Sequence, residues 1–208
     1  MLPLVTAIAP VLRGRVLFSV PTRTPRFAPT FDDGPDPATT PALLDVLARH
    51  GARGTFFLIG ERAAAHPGLV ARIAAEGHEI GNHTWRDEPT WLLPLEEFRE
   101  NLRRTQRELS AHGPVRWFRP GSGWPTQAHL TVAEEEGLHC VLGSAVAIAG
   151  SGAGTATTDR WLSPVVRRGT VVVLHEGPQR VGVAGTVDGL LERTVRRGLS
   201  AVTLSELA

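Results

Sequence analysis

Short apolar runs alternate with amphipathic stretches along most of this chain. The apolar runs are rich in β-branched and aromatic residues, a pattern typical of buried strands, whereas the stretches between them repeat their apolar positions every three or four residues, as helices do. The predicted strands are Phe27–Phe31, Gly54–Ile59, His78–Asn82, Val115–Arg119, His139–Gly143, Thr170–His175 and Ser200–Leu204. The predicted helices lie near Pro37–His50, Ala64–Glu76, Pro94–Ala111, Gln127–Glu136, Asp159–Arg167 and Gly185–Arg196.

The stretch that opens at Pro94 has the clearest helical pattern. Pro94 stands at a first-turn position and acidic residues follow it, where the helix dipole favours negative charge. Leu95, Phe98, Leu102 and Leu109 then recur at helical spacing and form one apolar stripe. The sequence therefore predicts an amphipathic helix with one buried face.

The order of the elements indicates an α/β protein with parallel strands. Glycines follow the predicted helices and precede the next strand, so the units read strand, helix, strand. No glycine-rich phosphate loop follows a strand, which disfavours a dinucleotide-binding open sheet. A full eight-unit barrel usually needs about 250 residues, so a barrel in this 208-residue chain would be reduced.

Composition and charge exclude several classes of protein. The chain is 42% hydrophobic with a formal net charge of +1, which fits a globular domain and gives no reason to expect nucleic acid or an anionic membrane surface as a partner. Cys140 is the only cysteine, so an internal disulfide and a cysteine zinc cluster are both excluded. Met1–Leu12 is apolar but too short to span a membrane and has no basic start, so the sequence does not establish export.

Ionisable residues stand at the ends of four predicted strands. Asp32 and Asp33 follow the first strand, His83 follows the third, Arg119 ends the fourth and His175 ends the sixth. In a parallel β/α array the carboxyl ends of all strands meet at one face, which carries the active site in barrels. We therefore expect these five side chains to converge.

Asp33, His83 and Asp87 form a candidate metal site. His83 and Asp87 are four residues apart, which in a helical turn places them on one face, and imidazole and carboxylate both bind zinc. Taken singly, the Asp32-Asp33 pair is explained by turn chemistry, and His83 with Asp87 by a weak surface pair. Two oxygens and one nitrogen also suit Mn²⁺, Fe²⁺ or Co²⁺, which compete with Zn²⁺.

Asp32, Arg119 and His175 are the candidate catalytic residues. A carboxylate beside a metal ligand can take a proton, and histidine is the residue type whose proton exchange suits a general acid, which makes His175 the candidate. Arg119 can orient a carboxylate through its planar guanidinium. The alternatives are a structural histidine at the end of a buried strand and a simple buried ion pair.

Several motifs in order resemble the signature of the polysaccharide deacetylases, carbohydrate esterase family four. They are Thr30-Phe31-Asp32-Asp33-Gly34-Pro35, Gly54-Thr55-Phe56-Phe57, Gly77-His78-Glu79-Ile80-Gly81-Asn82-His83-Thr84-Trp85, Phe118-Arg119-Pro120 and Leu174-His175. The resemblance covers about residues 26–207 and implies a distorted, reduced (β/α)7 barrel with parallel strands. Residues 26–208 would form this catalytic barrel, preceded by an N-terminal segment, residues 1–25, of unclear role.

The resemblance implies metal-dependent removal of N-acetyl groups from chitin, peptidoglycan or a related glycan. By position, Asp32 looks like the general base, oriented by Arg119. Asp33 and His83 look like ligands of a divalent metal, with Zn²⁺ expected first. His175 would protonate the departing amine.

The substrate groove is also implied by the resemblance. A backbone N–H near Ser122 would help to hold the oxyanion, and Leu174, with Val173, would line the acetyl pocket. Trp124 stands in the altered segment after Arg119-Pro120, where it offers a sugar-stacking face.

Two further positions depart from the family pattern. Asp87 stands where a second histidine is usual, and we prefer it to Glu88 as third ligand because the Glu88 side chain turns away from His83. The aspartate expected after the fifth strand is replaced by small residues in Ser144–Gly154, so the partner that tunes His175 is missing.

Two alternative functions remain open from the sequence. One is a metal-dependent hydrolase of a small non-peptide amide, and the other is a glycan-binding barrel that has lost its chemistry. Retention of all five rim residues favours an enzyme over a binding module. We expect a monomer without a stable membrane span, and the substrate class suggests a location outside the cytoplasm.

Overall fold

The structure, a computed structural model, describes residues 14–123, 125–147 and 160–208. The strands are β1 (Val16–Leu17), β2 (Arg26–Gly34), β3 (Thr55–Leu58), β4 (Glu79–Asn82), β5 (Trp117–Phe118), β6 (His139–Val141), β7 (Ala145–Val146), β8 (Val171–His175) and β9 (Ser200–Ala201). The helices are α1 (Thr40–Arg49), α2 (Gly60–Ala65), α3 (Pro67–Ala75), α4 (Leu95–Ser110), α5 (Gln127–Glu135), α6 (Val183–Arg196) and α7 (Leu204–Leu207). Short 3-10 turns span Thr90–Leu92, Gly121–Gly123 and Ser163–Val165.

All the paired strands run parallel and form one curled sheet. Their order is β1-β6-β5-β4-β3-β2-β8-β7, and β9 pairs with the start of β2. An isolated antiparallel bridge between Ser19 and Thr170 links the segment after β1 to the start of β8. The predicted reduced barrel of parallel strands is confirmed.

The two faces of β2 show how the sheet divides the core. Phe27 and Phe31 face outward, where they join the large apolar cluster between the sheet and the helices. Ala28 faces inward and joins a smaller cluster that includes Phe57 and Val171. Because side chains alternate along a strand, Thr30 and Asp32 share the inward face with Ala28.

The inner cluster is closed at the amino end of the barrel by α7. Leu204 and Leu207 of this short helix pack with the inward-facing residues of the strands. Thr203 caps the helix, and Glu206 completes a reciprocal capping box with it. Apolar packing thus fills the lower part of the barrel and leaves its upper part to polar side chains.

The α4 helix confirms the predicted apolar stripe except at Leu95, which lies in the first turn and is 40% exposed. Phe98, Leu102 and Leu109 are buried together with Thr105, and the helix begins directly after Pro94. Its first turn carries Glu96 and Glu97, as the helix dipole favours.

Two of the predicted elements were wrong in their bounds. The predicted helix Ala64–Glu76 is two helices, because Pro67 begins a new one and has no N–H to continue the first. The predicted strand Ser200–Leu204 ends at Ala201, because Thr203 caps α7. Strands β1 and β7 were not predicted; each has two residues and is defined by its pairing with a strand elsewhere in the chain.

Some sequence predictions fall outside the described residues. These include the apolar segment Met1–Leu12, most of Ser144–Gly154, the start of the helix predicted at Asp159, and Trp124. Strand β1 lies in the segment that the sequence set apart as residues 1–25, and it pairs with β6. Among the described helices, none has the length and apolar character needed to span a membrane.

Candidate active site

Asp32 and Arg119 form a buried ion pair at the upper end of the barrel interior. Asp32 is 3% exposed and Arg119 is 2% exposed. Arg119 Nη1 donates to Asp32 Oδ1 over 2.6 Å and to Thr30 Oγ1 over 2.7 Å, and its Nε donates to the Val141 carbonyl over 3.0 Å. These bonds fix the orientation of the carboxylate and leave Asp32 Oδ2 facing the rim.

His175 lies beside Asp32 because β2 and β8 are neighbours. The two residues are register partners, and His175 Nε2 is 3.9 Å from Asp32 Oδ2. The imidazole is about one third exposed, unlike the carboxylate. A buried carboxylate and a more accessible histidine thus face the same space.

Asp33 and His83 meet across the rim between β2 and β4. Asp33 adopts a left-handed backbone conformation with φ of 72°, and its Oδ1 is 3.2 Å from His83 Nε2. His83 Nδ1 donates to the Arg119 carbonyl over 2.7 Å. Because Nδ1 carries the proton of that bond, Nε2 is the nitrogen presented to Asp33.

Each member of this pair alters the ionisation of the other. Burial alone would lower the pKa of His83, but the hydrogen bond to Asp33 and the negative charges of Asp32 and Asp33 hold that pKa above its ordinary value. Burial would raise the pKa of Asp33, but His83, with the charges of His175 and Arg62, lowers it. Both effects keep the Asp33 carboxylate negative beside a basic imidazole.

The Asp33–His83 pair fits two ligands of one divalent ion. Two ligands of tetrahedral zinc, with bonds of about 2.0–2.2 Å, lie roughly 3.3–3.6 Å apart, close to the 3.2 Å observed here. The bond from His83 Nδ1 to a carbonyl is the outer contact that metal-binding histidines usually make. Within the described ranges, no group of three His, Cys, Asp or Glu side chains is arranged to hold a metal.

Asp87, the predicted third ligand, lies apart from that pair. Its carboxylate is 59% exposed and accepts from Arg62 Nη2 over 3.2 Å, while Arg62 also donates to the Asp33 carbonyl. Glu88 accepts from Asn101 over 3.2 Å instead. The structure therefore brings the side chains of Asp33 and His83 together, whereas Asp87 is linked to Asp33 through Arg62, which bonds to both residues.

The predicted groove residues occupy different environments. Ser122 is exposed in the turn after Arg119-Pro120, with a left-handed φ of 58°. Leu174 is 1% exposed and packs in the outer core, while its neighbour Val173 faces the other side of β8 and is also buried. Trp124 lies outside the described residues.

Three residues with a structural part in this site were missed from the sequence. Thr30 binds Arg119, and its spacing of two residues from Asp32 on one strand was a signal that could have found it. Arg62 comes from α2, and its place at the rim has no local sequence signal. Glu176 directly follows His175 and is 2% exposed, which is unusual for a glutamate.

Comparisons with known proteins agree with this geometry. The family model described as polysaccharide deacetylase matches residues 19–141. A peptidoglycan-N-acetylglucosamine deacetylase of Bacillus cereus is 33% identical over 93% of this chain and 93% of its own length. A chitooligosaccharide deacetylase of Sinorhizobium fredii is 34% identical over 84% of this chain and 82% of its own length.

A solved structure extends the agreement to the backbone. It is a peptidoglycan N-acetylglucosamine deacetylase in complex with 4-naphthalen-1-yl-N-oxidanyl-benzamide, and it superposes with a TM-score of 0.89 at 30% identity. The match covers 96% of this chain and 95% of that one. From its ordered motifs, its parallel barrel and these matches, the chain belongs to the polysaccharide deacetylase family.

Proposed function

We propose that this protein is a hydrolase that removes N-acetyl groups from an N-acetylglucosamine-containing glycan of the chitin or peptidoglycan type. The observation that carries the proposal is the convergence of five side chains from the ends of four strands. They are Asp32, Asp33, His83, Arg119 and His175. The relatives named as deacetylases of such glycans support the substrate class.

Asp32 acts as the general base in this proposal. Its Oδ1 is held by Arg119, so Oδ2 is the oxygen free to take a proton from the attacking water. Water oxygen then bonds to the acetyl carbon. The guanidinium of Arg119 keeps Asp32 Oδ2 directed towards the rim. It does not itself exchange a proton, since arginine stays protonated.

His175 acts as the general acid. The C–N bond breaks as the imidazolium gives its proton to the departing nitrogen, which leaves acetate and a free amine on the sugar. Its greater exposure fits a group that must reach the substrate, and its Nε2 lies 3.9 Å from Asp32 Oδ2, so acid and base face the same reacting centre.

Asp33 and His83 hold the divalent metal. Polysaccharide deacetylases are metal-dependent in general, and the mixed oxygen and nitrogen donors suit Zn²⁺, with Co²⁺, Mn²⁺ and Fe²⁺ as competitors. When bound, the ion supplies Lewis acidity to the amide carbonyl and to water. We propose Asp87 as third ligand, recruited from its exposed pair with Arg62.

The remaining site assignments concern the glycan. We propose that a backbone N–H near Ser122 helps to hold the developing negative charge and that Trp124 stacks against a sugar ring. Leu174 contributes through the packing of β8, which positions His175, since its own side chain is buried. We propose that the protein acts as a monomer, with the groove formed by one chain.

Acetate release from N-acetylglucosamine oligomers tests the function. Metal-stripped protein should be inactive and should regain activity with Zn²⁺, Co²⁺ or Mn²⁺ added separately. Asp32→Asn should lower kcat at least ~100-fold, because it removes the base and leaves the metal ligands. Asp45→Asn is the matched control, since Asp45 is an exposed aspartate on α1 paired with Arg72.

Three outcomes would contradict the proposal in different ways. Full activity of Asp32→Asn would remove the base assignment. Release from small amides alone would favour the small-amide hydrolase. Glycan binding without release under any metal would favour a binding barrel.

A further inference from the structure

Glu176 is a buried carboxyl group directly behind the candidate catalytic residues. It follows His175 at the end of β8 and is 2% exposed. Its backbone N–H donates to the Asp32 carbonyl over 3.0 Å. The main chain of Glu176 is therefore tied to the strand that carries both carboxylates.

Two threonine hydroxyls are aimed at the Glu176 side chain. Thr40 Oγ1 donates to Glu176 Oε2 over 2.5 Å, and Thr39 Oγ1 lies 3.4 Å from the same oxygen. Thr40 Oγ1 also accepts the Asp36 N–H over 2.8 Å, and Thr39 Oγ1 accepts the Gly177 N–H over 3.1 Å. Because each hydroxyl oxygen already accepts one backbone N–H, its hydrogen is available to donate to the carboxyl group.

The other oxygen of Glu176 fills the space beside Gly34. A Cβ atom built on Gly34 would lie 1.8 Å from Glu176 Oε1, so only glycine fits next to that carboxyl group. Oε1 is buried and has no hydrogen-bond partner in the part of the chain that the structure describes. Glu176 thus supports the turn after Asp33 by close contact, while Oε2 holds the start of α1.

We propose that Glu176 is a positioning residue for the deacetylation, which fixes the turn from Asp32 to Asp36 against β8 and so sets the distance between His175 and the two carboxylates. This inference rests on the proposed function. Its carboxyl group bonds to Thr39 and Thr40 of the next segment and its backbone N–H bonds to the Asp32 carbonyl, so it acts through the backbone of the turn and of β8.

The electrostatics favour an uncharged Glu176 at neutral pH. Burial raises the pKa of Glu176 to about 8, the hydroxyl groups of Thr40 and Thr39 oppose that rise, and the charges of Asp36 and Asp33 add to it. Arg62 Nη1 also approaches this corner and lies 3.8 Å from a Cβ built on Gly177. Glutamine, whose neutral amide has the same shape, should therefore be able to take the structural place of Glu176.

Glu176→Gln and Glu176→Ala form the test. Glutamine retains an acceptor for Thr40 and the bulk beside Gly34, so we expect kcat within about threefold of the wild type. Alanine removes both, so we expect kcat to fall at least ~10-fold while KM changes less than about threefold, the pattern of a disturbed reacting centre rather than a lost binding contact. Thermal unfolding of each variant shows that it is folded.

Gly34→Ala gives a second test on the same contact. Its methyl group should displace Glu176 and lower kcat in the wild-type background, whereas in the Glu176→Ala background the same methyl group finds space and should add little further loss. If Gly34→Ala lowers kcat equally in both backgrounds, the contact between position 34 and the Glu176 side chain does not affect catalysis, which would contradict the proposal. Wild-type kcat in Glu176→Ala, or equal loss in Glu176→Gln and Glu176→Ala, would overturn the positioning role.

Amide hydrogen exchange separates this inference from the proposed function. Glu176→Ala should speed exchange at Asp36 and Gly177, whose N–H groups bond to the two threonines, and Glu176→Gln should not. If the wild type releases no acetate, the proposed function fails while this exchange pattern still decides whether Glu176 holds the turn. Identical exchange in all three proteins would overturn the inference whatever the activity.

Discussion

Among single residues, the charges in this site differ sharply in their contact with water. Asp32 and Arg119 are almost fully buried, whereas Asp87 and Arg62 are exposed enough to be screened. Breaking a buried pair strands a charge and typically costs about 3–5 kcal/mol, while an exposed pair contributes about 0–1 kcal/mol. Asp32 is therefore fixed in place, and Asp87 can leave Arg62 at little cost.

This difference leads to a prediction for metal affinity. Asp87→Asn should weaken Zn²⁺ binding about tenfold or more, because a metal–carboxylate bond outweighs the exposed pair with Arg62. Asp33→Asn should weaken it further. Isothermal titration of metal-stripped protein measures both affinities.

Glu88→Gln is the matched control for Asp87→Asn. Glu88 is the next residue in the chain and bonds to Asn101, so its substitution should leave the affinity unchanged. If Asp87→Asn binds Zn²⁺ as tightly as the wild type, Asp87 is not a ligand and the site uses two side chains from this chain.

The buried carboxyl of Glu176 predicts how stability depends on pH. The pKa of Glu176 is about 8 in the folded protein against 4.5 for an ordinary glutamate. Below pH 4.5 the group is protonated in both states and its stabilising effect is complete. As pH rises to 8 the unfolded chain loses the proton first, so the folded state is progressively destabilised, on the order of 4–5 kcal/mol in all.

Denaturant unfolding of metal-free protein between pH 4.5 and 9 measures this effect. The free energy of unfolding of the wild type should fall relative to Glu176→Gln through that window and then level off above pH 8. Glu97→Gln, at an exposed glutamate on α4, should follow the wild type. Parallel curves for the wild type and Glu176→Gln would show that Glu176 ionises normally.

Among the elements, the short ones decide how the barrel is closed. Helix α7 has four residues, too few to be stable alone, and is held by its capping box and by Leu204 and Leu207 in the inner cluster. It lies at the amino end of the barrel, opposite the rim that carries Asp32. Its stability should therefore affect folding and leave catalysis unchanged.

Thr203→Ala tests that separation. Loss of the cap should lower the free energy of unfolding by about 1 kcal/mol, or roughly 2–4 °C in Tm for a chain of this size. The kcat for acetate release should stay at the wild-type value. Ser110→Ala, at the exposed end of α4, should change stability by less than ~0.5 kcal/mol, and a Thr203→Ala protein as stable as that control would argue against the cap.

The elements also show what the sequence could predict. Each predicted strand overlaps an observed one, and the apolar signal is clearest at β2 and β8, which are the longest strands and are mostly buried. Strands β1 and β7 are fixed by pairing with partners far along the chain, which local periodicity does not record. The site shows the same division. The order of the motifs predicted that Asp33 lies beside His83. The approach of Arg62 to Asp87 depends on the tertiary packing of α2, which the local sequence does not record.

For the whole molecule, the candidate metal site joins distant parts of the sheet. Asp33 ends β2, and His83 follows β4, with β3 between them. An ion bound to both residues binds the folded state and not the unfolded chain. Metal binding should therefore stabilise the complete barrel.

Thermal unfolding with and without Zn²⁺ measures this linkage. At a free concentration of 100 times Kd the gain is about 2.7 kcal/mol, which corresponds to a rise of roughly 5–11 °C in Tm. His83→Gln should abolish most of that rise, and His112→Gln, at a histidine remote from the rim, should keep it. A rise of the same size in His83→Gln would place the stabilising ion elsewhere.

The position of β2 has a consequence for newly synthesised chains. One side of β2 pairs with β3, which follows soon after it, but the other side pairs with β8, which is made about 140 residues later. At ~5–20 residues per second the ribosome needs roughly 7–28 s to supply that partner. Meanwhile the strand that ends in Asp32 and Asp33 presents unpaired amide and carbonyl groups, to which other nascent chains can add. The yield of soluble protein should therefore depend on translation speed and chain crowding, even where the finished barrel is stable.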